Sequence, residues 1–240
     1  MFPYATDGRV AISLLVDTGE RICQGRGGFL ISNEDSYGWN TGDAPESCGY
    51  VTPRVLQVLA SLKVRRVCDL GSGNGALAGA LKTAGYEVAG VEIDSEGVKI
   101  ARSRYPEVVF YNCGIQDDPA VVVNSEGKRF DAVVSTEVIE HLFAPELLPT
   151  FATGLLRKKD GFLILSTPYH GYMKNLSLSI LDKWDEHHTS LWTGGHIKFW
   201  SRSTLTKLLA QNGYQVTAFH GCGRFPLLWK SMVIVARSMG

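Results

Sequence analysis

The run Asp69-Leu70-Gly71-Ser72-Gly73-Asn74-Gly75 constrains this chain more than any other stretch. Val64 and Val67 lead into it as an apolar strand, and Ala76–Leu81 follow as a helix. A strand, a glycine-rich turn and a helix together form a ligand cradle: glycine tolerates positive φ and lets the backbone approach a ligand closely. The helix N-terminus then offers N–H groups that have no partner within the helix. Gly71-x-Gly73-x-x-Ala76 also fits a relaxed dinucleotide fingerprint. Asp69, just before the first glycine, argues against that reading, because its carboxylate repels a pyrophosphate and attracts a cation.

Four more segments follow in order. Tyr86–Asp94 reads as a strand ending in acid, and Glu92 lies 19 residues after Gly73. That is close to the spacing at which a carboxylate meets ribose hydroxyls. The bland alternative is that Glu92 or Asp94 caps a helix over Ser95–Arg104; ribose is the better role for Glu92, and capping for Asp94 or Ser95. Val108–Asp117 reads as a short strand running into a loop that holds Gly114 and Ile115. Phe130–Leu142 begins as a buried strand and ends in Glu137-Val138-Ile139-Glu140-His141. Gly161–Pro168 reads as the next central strand.

The Asp69–Gly75 run resembles motif I of the class I S-adenosylmethionine-dependent methyltransferases, and Phe130–Leu142 resembles their motif IV. Together they span roughly residues 55–170 in that family's order. The resemblance implies an α/β, Rossmann-like fold. It has a seven-stranded, mostly parallel sheet, helices on both faces and an antiparallel last strand. It implies S-adenosylmethionine as cofactor, held by Asp69, Gly71, Ser72, Gly73, Gly75, Glu92, Ile93, Gly114, Ile115 and Ser135. Within it, Asp69 faces the cationic methionine end and Glu92 the ribose, while Ile115 and a backbone N–H beside it meet the adenine.

Glu137-x-x-Glu140-His141 resembles the E-x-x-E-H element of metal-dependent O-methyltransferases. These include the ubiquinone-biosynthesis type and the small-RNA 3′-terminal 2′-O-methyltransferases. In both, a further histidine comes from downstream, shortly before an aromatic; Gly195-His196-Ile197-Lys198-Phe199-Trp200 fits that place. The resemblance implies Glu137, Glu140, His141 and His196 as ligands of a divalent metal, with His141 and Glu140 as catalytic residues. On a helical turn, positions i, i+3 and i+4 share one face. Mixed oxygen and nitrogen ligands suit magnesium, manganese, zinc or iron without choosing among them. Without a metal, His141 serves as a general base, since histidine titrates near neutrality.

The chain has 240 residues, enough for one full α/β domain. Lys plus Arg equals Asp plus Glu, at 24 each, so no global basic field favours nucleic acid as a partner. A signal peptide and a transmembrane run are both missing from the sequence, and the odd set Cys23, Cys48, Cys68, Cys113 and Cys222 has no C-x-x-C spacing. These features point to a reducing cytoplasm. Residues 1–52 are expected to form an N-terminal arm and lid. Val10–Val16 and Gly28–Ser32 are possible strands within it, and Tyr37, Trp39 and Tyr50 stand out in a loop-like stretch. Residues 53–240 form the methyltransferase domain, opening on a helix at Pro53–Leu62. Residues 169–195 are expected to insert an acceptor lid with Leu176, Ile180, Leu181 and Trp184 at helical spacing. A helix over Ser203–Asn212 and strands over Tyr214–His220 and Met232–Arg237 complete the domain.

The expected activity is O-methylation of a small hydroxylated acceptor, aromatic or lipid-like, with metal assistance. An RNA 3′-end 2′-O-methyltransferase, a non-catalytic S-adenosylmethionine-binding protein and an NAD-dependent oxidoreductase are the competing readings. Sequence gives neither the acceptor nor the oligomeric state. His170, His187, His188 and His220 are lesser acceptor-site candidates, and Tyr169 and Tyr172 follow the fifth strand where acceptor-facing residues sit.

Overall fold

The computed structural model describes residues 43–188 and 195–240. The possible strands at Val10–Val16 and Gly28–Ser32, and Tyr37 and Trp39, lie outside the described residues. Strands β1 (Arg66–Leu70), β2 (Glu87–Glu92), β3 (Val109–Asn112), β4 (Ala132–Thr136) and β5 (Phe162–Pro168) are joined to β6 (Tyr214–Cys222) and β7 (Ser231–Ser238) in one sheet. Its order is β3-β2-β1-β4-β5-β7-β6. Strands β1 to β5 run parallel, and β7 is antiparallel to both β5 and β6. The strand order reverses direction between β1 and β4, and such a switch point opens a crevice beyond the strands' carboxyl ends.

Alternation along the strands divides the core between two faces. Val134, Ile164, Val233 and Val235 face α1 (Cys48–Ser61) and α2 (Ala76–Thr83). Val133, Leu163, Leu165, Met232 and Ile234 face the other way, onto Val122, Phe151, Leu155, Leu205 and Leu209. Those residues belong to α4 (Ala120–Glu126), α5 (Leu147–Leu155) and α8 (Arg202–Gln211). A smaller cluster joins α2 and α3 (Ser95–Arg104) to β3 through Ala78, Val98, Ala101 and Phe110. Both faces are therefore covered, as parallel sheets require.

Two boundaries differ from the sequence reading. Helix α1 begins five residues before Pro53 and carries that proline inside it. Burial of Val51, Val55, Val58 and Leu59 along one stripe outweighs the loop-like composition of Cys48–Thr52 and the missing proline N–H. Where a lid is expected, residues 172–188 form two helices, α6 (Tyr172–Ile180) and α7 (Trp184–His188), interrupted where Asp182 takes a positive φ of 51°. Helix α8 opens on a capping box from Ser201 and Thr204.

Asp131, at the foot of β4, ties three strands together. One carboxylate oxygen accepts the amides of Arg65 and Arg66, both at 2.9 Å. The other pairs with Arg157 at 3.0 Å. Burial opposes the charge, but the two amides and Arg157 prevail and hold the carboxyl below its ordinary pKa. A depressed carboxylate stabilises the fold above its unfolded pKa and loses that contribution as pH falls through the folded value. Asp131→Ala should lower stability at pH 7 by about 1.5–3 kcal/mol in urea unfolding. The gap from the unsubstituted protein should narrow as pH falls through the depressed folded pKa, whereas a gap that persists undiminished in acid would exclude the carboxylate as its source.

Candidate active site

The crevice starts at the tip of β1. The amides of Gly71 and Ser72 both donate to the Val91 carbonyl, at 2.8 and 3.0 Å, so the end of β2 fixes the glycine turn. Gly71 has φ +79°, and a Cβ there would lie 2.5 Å from Val138 Cγ2. Gly75 starts α2 with φ +80°, and a Cβ there would strike Ala101 and Phe110 at 2.9 Å. No other residue fits either place without moving a packed neighbour. Asn74 donates its side-chain amide to the Asp43 carbonyl at 2.8 Å, which fastens the chain before α1 to the turn.

Asp69 lies near the end of β1, just before this turn, fully buried, and neither carboxylate oxygen has a hydrogen-bond partner among the described residues. Burial, and then the neighbouring Glu92 carboxylate, raise its pKa to about 7. The hydroxyls of Ser72 and Ser135 are also buried and unpartnered. A desolvated carboxylate with two idle oxygens and two idle hydroxyls is a costly arrangement unless a cation with hydrogen-bond donors completes it.

Glu92 is better satisfied. One oxygen accepts the Gly73 amide at 2.7 Å and the other the Asp94 amide at 2.9 Å. Burial raises its pKa, and the Asp94 and Gly73 amides partly offset that. Each oxygen keeps a lone pair for a further donor. Asp94 caps α3, accepting from the Glu96 and Gly97 amides. Ile93 stands exposed beside Glu92. Asn112, which the sequence reading passed over, donates its side-chain amide to the Glu92 and Ile93 carbonyls. The Gly114 amide donates to Asp117 at 2.8 Å, and Ile115 packs on the core. Asp117 had no distinguishing signal in the sequence beyond its place three residues after a glycine.

Beyond β4 the chain departs from the expected helical turn. Glu137 takes φ +53°, and a 3-10 turn begins only at Ile139. The Glu137 carboxylate accepts hydrogen bonds from Ser166 Oγ at 2.7 Å and Ser231 Oγ at 3.1 Å. Glu140 is fully buried, with Oε2 accepting from Thr167 at 2.9 Å and Oε1 without a partner among the described residues. That idle oxygen lies 3.9 Å from His141 Nε2. His141 Nδ1 is 3.2 Å from the Gly195 carbonyl, and the His196 ring meets the His141 ring edge-on at 4.9 Å.

The Glu140 backbone carbonyl accepts the amides of both Ile197 and Lys198 at 2.9 Å, which positions the downstream histidine. Glu140, His141 and His196 thereby each place a ligand atom within 4.8 Å of the others. Glu137 stays on the two serines. Burial and the nearby Glu137 raise the Glu140 pKa well above the carboxylate range. Burial and His141 lower the His196 pKa to about 4, so its ring is neutral near pH 7, as a ligand's must be.

The other sequence candidates disperse. His170 and His188 stack at 5.5 Å and each meets Phe199 edge-on, while His187 lies beside both histidines. Tyr169 packs on Trp229 and Phe219, Tyr172 is exposed, and His220 lies on β6. Lys174, which sequence did not single out, is buried and donates to the Lys230 carbonyl just before β7.

A family model described as a methyltransferase domain matches residues 45–218. The chain belongs to that family and is an S-adenosylmethionine-dependent methyltransferase of the class I fold. It is 33% identical over 113 residues to the ubiquinone biosynthesis O-methyltransferase of Alkalilimnicola ehrlichii, covering 47% of this chain and 45% of that protein. It is 29% identical over 181 residues to the protein of the same name from Ruegeria sp., covering 74% and 71%. Among solved structures it is similar to magnesium protoporphyrin IX methyltransferase from Synechocystis PCC 6803 with bound SAH, at TM-score 0.58 and 21% identity, covering 78% and 82%. It is also similar to the methyltransferase domain of bacterial CtHen1, at TM-score 0.59 and 21% identity, covering 78% and 97%.

Asp69→Asn should separate binding from stability. Without ligand at pH 8 the variant should unfold at a higher temperature than the unsubstituted protein, because a buried unpaired charge is gone. Its affinity for S-adenosylmethionine should fall at least tenfold by calorimetry. Equal affinity in the two proteins would remove Asp69 from the cofactor site.

Proposed function

We propose that this methyltransferase transfers the methyl group to a hydroxyl of a small acceptor with the help of a divalent cation. The observation that carries this reading is Glu140 Oε1: a fully buried carboxylate oxygen with no hydrogen-bond partner among the described residues, beside two imidazoles. The residues fit a cation. Glu140, His141 and His196 are assigned as its ligands, and Glu137 as a fourth that joins by leaving Ser166 and Ser231. A bound cation supplies a Lewis acid that lowers the pKa of a hydroxyl and orients it. Magnesium, manganese and zinc all suit the donor set.

The chain's own residues prepare the rest. Asp69, Gly71, Ser72, Gly73 and Gly75 are assigned to the methionine end of the cofactor, with Ser135 beside it. Glu92 and Ile93 are assigned to the ribose, and Gly114 and Ile115 to the adenine. Val138, packed over Gly71, joins this cradle directly to the Glu140 turn. The two sites are thus held in register by one side chain, and alignment of reactants is worth about 7–11 kcal/mol in favourable cases. Thr167 fixes the Glu140 carboxylate, and the Gly195 carbonyl fixes the His141 ring so that Nε2 faces Glu140. In the metal-free alternative, Nε2 is the atom that takes the acceptor's proton.

Residues 169–195 are assigned as the acceptor lid. Residues 1–52 are assigned as an arm over the crevice; the Asp43 carbonyl on Asn74, Glu46 paired with Lys230, and Lys230 over the Tyr50 ring support this. The balanced charge favours a small acceptor over an RNA end, although the E-x-x-E-H pattern occurs in both kinds of enzyme. The free thiols Cys48, Cys68, Cys113 and Cys222 support a cytoplasmic setting, and no described helix is long and apolar enough to cross a membrane.

Turnover of a catechol acceptor with labelled methyl donor should stop in EDTA and return with magnesium or manganese. Glu140→Ala should reduce it at least a hundredfold while cofactor affinity changes less than twofold. Activity that EDTA leaves intact would end the metal-assisted reading.

A further inference from the structure

The tip of β3 carries a turn whose side chains are engaged, with one exception. Residues 114–117 close on themselves: the Gly114 amide donates to Asp117 Oδ2 at 2.8 Å, and the Asp117 amide donates back to the Gly114 carbonyl at 3.1 Å. Asn112 gives its side-chain N–H groups to the Glu92 and Ile93 carbonyls, at 3.0 and 2.8 Å. The Cys113 amide donates to the Glu92 carbonyl at 2.9 Å, so the turn is fastened to the end of β2. Ile115 packs on the core, and Asp118 accepts the Ala120 amide. Gln116 is left: exposed, with a carboxamide that makes no hydrogen bond to any described residue.

The carboxamide has a defined place. A Cβ built on Gly114 would collide with Gln116 Nε2 and lie 2.6 Å from both Cδ and Oε1. Gln116 therefore folds back across the Gly114 backbone, into the space that a side chain there would fill. Gly114 is not among the glycines with positive φ, so backbone conformation does not call for glycine at this position. What its missing Cβ provides is room for the carboxamide.

The strand order says what passes this place. β3, β2 and β1 are neighbours at one side of the sheet, with Glu92 beside Asn112 in register. Asp69 lies near the end of β1 and Glu92 at the end of β2. A ligand whose cation meets Asp69 and whose ribose meets Glu92 runs along the strand tips toward β3, so its base arrives at the 114–117 turn. An adenine edge shows a 6-amino donor beside a ring-nitrogen acceptor. A carboxamide, with an acceptor oxygen and two N–H donors, is its complement, and glutamine pairs with adenine in this two-bond manner.

We propose that Gln116 reads the adenine of S-adenosylmethionine, accepting from the 6-amino group and donating to the neighbouring ring nitrogen. The inference rests on the cofactor assignment above and deepens it by naming the side chain that senses the amino group. In the free protein the exposed carboxamide is hydrated and strains nothing. Once the base covers the turn, those hydrogen bonds must be replaced, and a purine that lacks the donor leaves the Gln116 oxygen unpaired.

The test reads binding, not turnover. The full chain is titrated by calorimetry with S-adenosylhomocysteine and with its analogue in which hydrogen replaces the 6-amino group. The parent ligand should bind at least fivefold tighter. Gln116→Ala should bring that ratio near one, chiefly by weakening the parent ligand, and Gln116→Glu, which keeps an acceptor oxygen, should retain a preference. Gln116 is exposed, so neither substitution opens the core. A parent ligand that binds no tighter than the analogue overturns the proposal. So does a ratio that survives Gln116→Ala, or an alanine variant that weakens both ligands equally, because Gln116 then only shapes the turn. Failure of the unsubstituted protein to bind either ligand would instead strike the cofactor assignment.

Discussion

The charge on Asp69 governs this structure. A carboxylate is buried at the tip of the central strand with no donor at full hydrogen-bond distance among the described residues; a second acid, Glu92, raises its pKa further, and the Ala78 amide offsets this only in part. Left alone, that arrangement destabilises the fold. The glycine turn around it spends further backbone entropy on conformations that other residues reject. Both costs make sense for a crevice shaped to receive a positively charged donor. The tie from Glu92 to the Gly73 and Asp94 amides keeps the turn in place meanwhile.

The second half of the site is attached to the first by contact, with no shared charge. Val138 covers Gly71, and the residues on either side of it supply the acids. From Glu137 the chain enters a left-handed conformation before the 3-10 turn, and that single φ value decides which carboxylates face the histidines. Non-glycine residues held at positive φ cluster at functional sites because the surroundings must over-determine them. Here Ser166 and Ser231, from β5 and β7, do so.

Much of this was legible in the sequence. The sheet follows from apolar runs alternating with amphipathic ones, and the cradle from glycines at fixed spacing after an apolar strand. The spacing of Glu140, His141 and His196 marks three groups that the fold brings together. What escaped depends on backbone detail or on distant contacts. An α-helical turn predicts Glu137 on the same face, and its positive φ turns it elsewhere. Helix α1 began in residues whose composition reads as loop, because tertiary burial of Val51 prevailed. The apolar spacing of Leu176, Ile180 and Leu181 is real, yet it faces outward, and nothing local marks Lys174 as the buried one.

Calorimetry of S-adenosylmethionine binding in buffers of different ionisation enthalpy tests the central claim most directly. A cationic donor beside Asp69 favours its ionised carboxylate, and because burial raises its pKa in the free protein to about 7, binding near pH 7 should release protons, more at pH 6 than at pH 8. That release should vanish in Asp69→Asn. Binding that releases no proton, or NAD binding more tightly than S-adenosylmethionine, would contradict it.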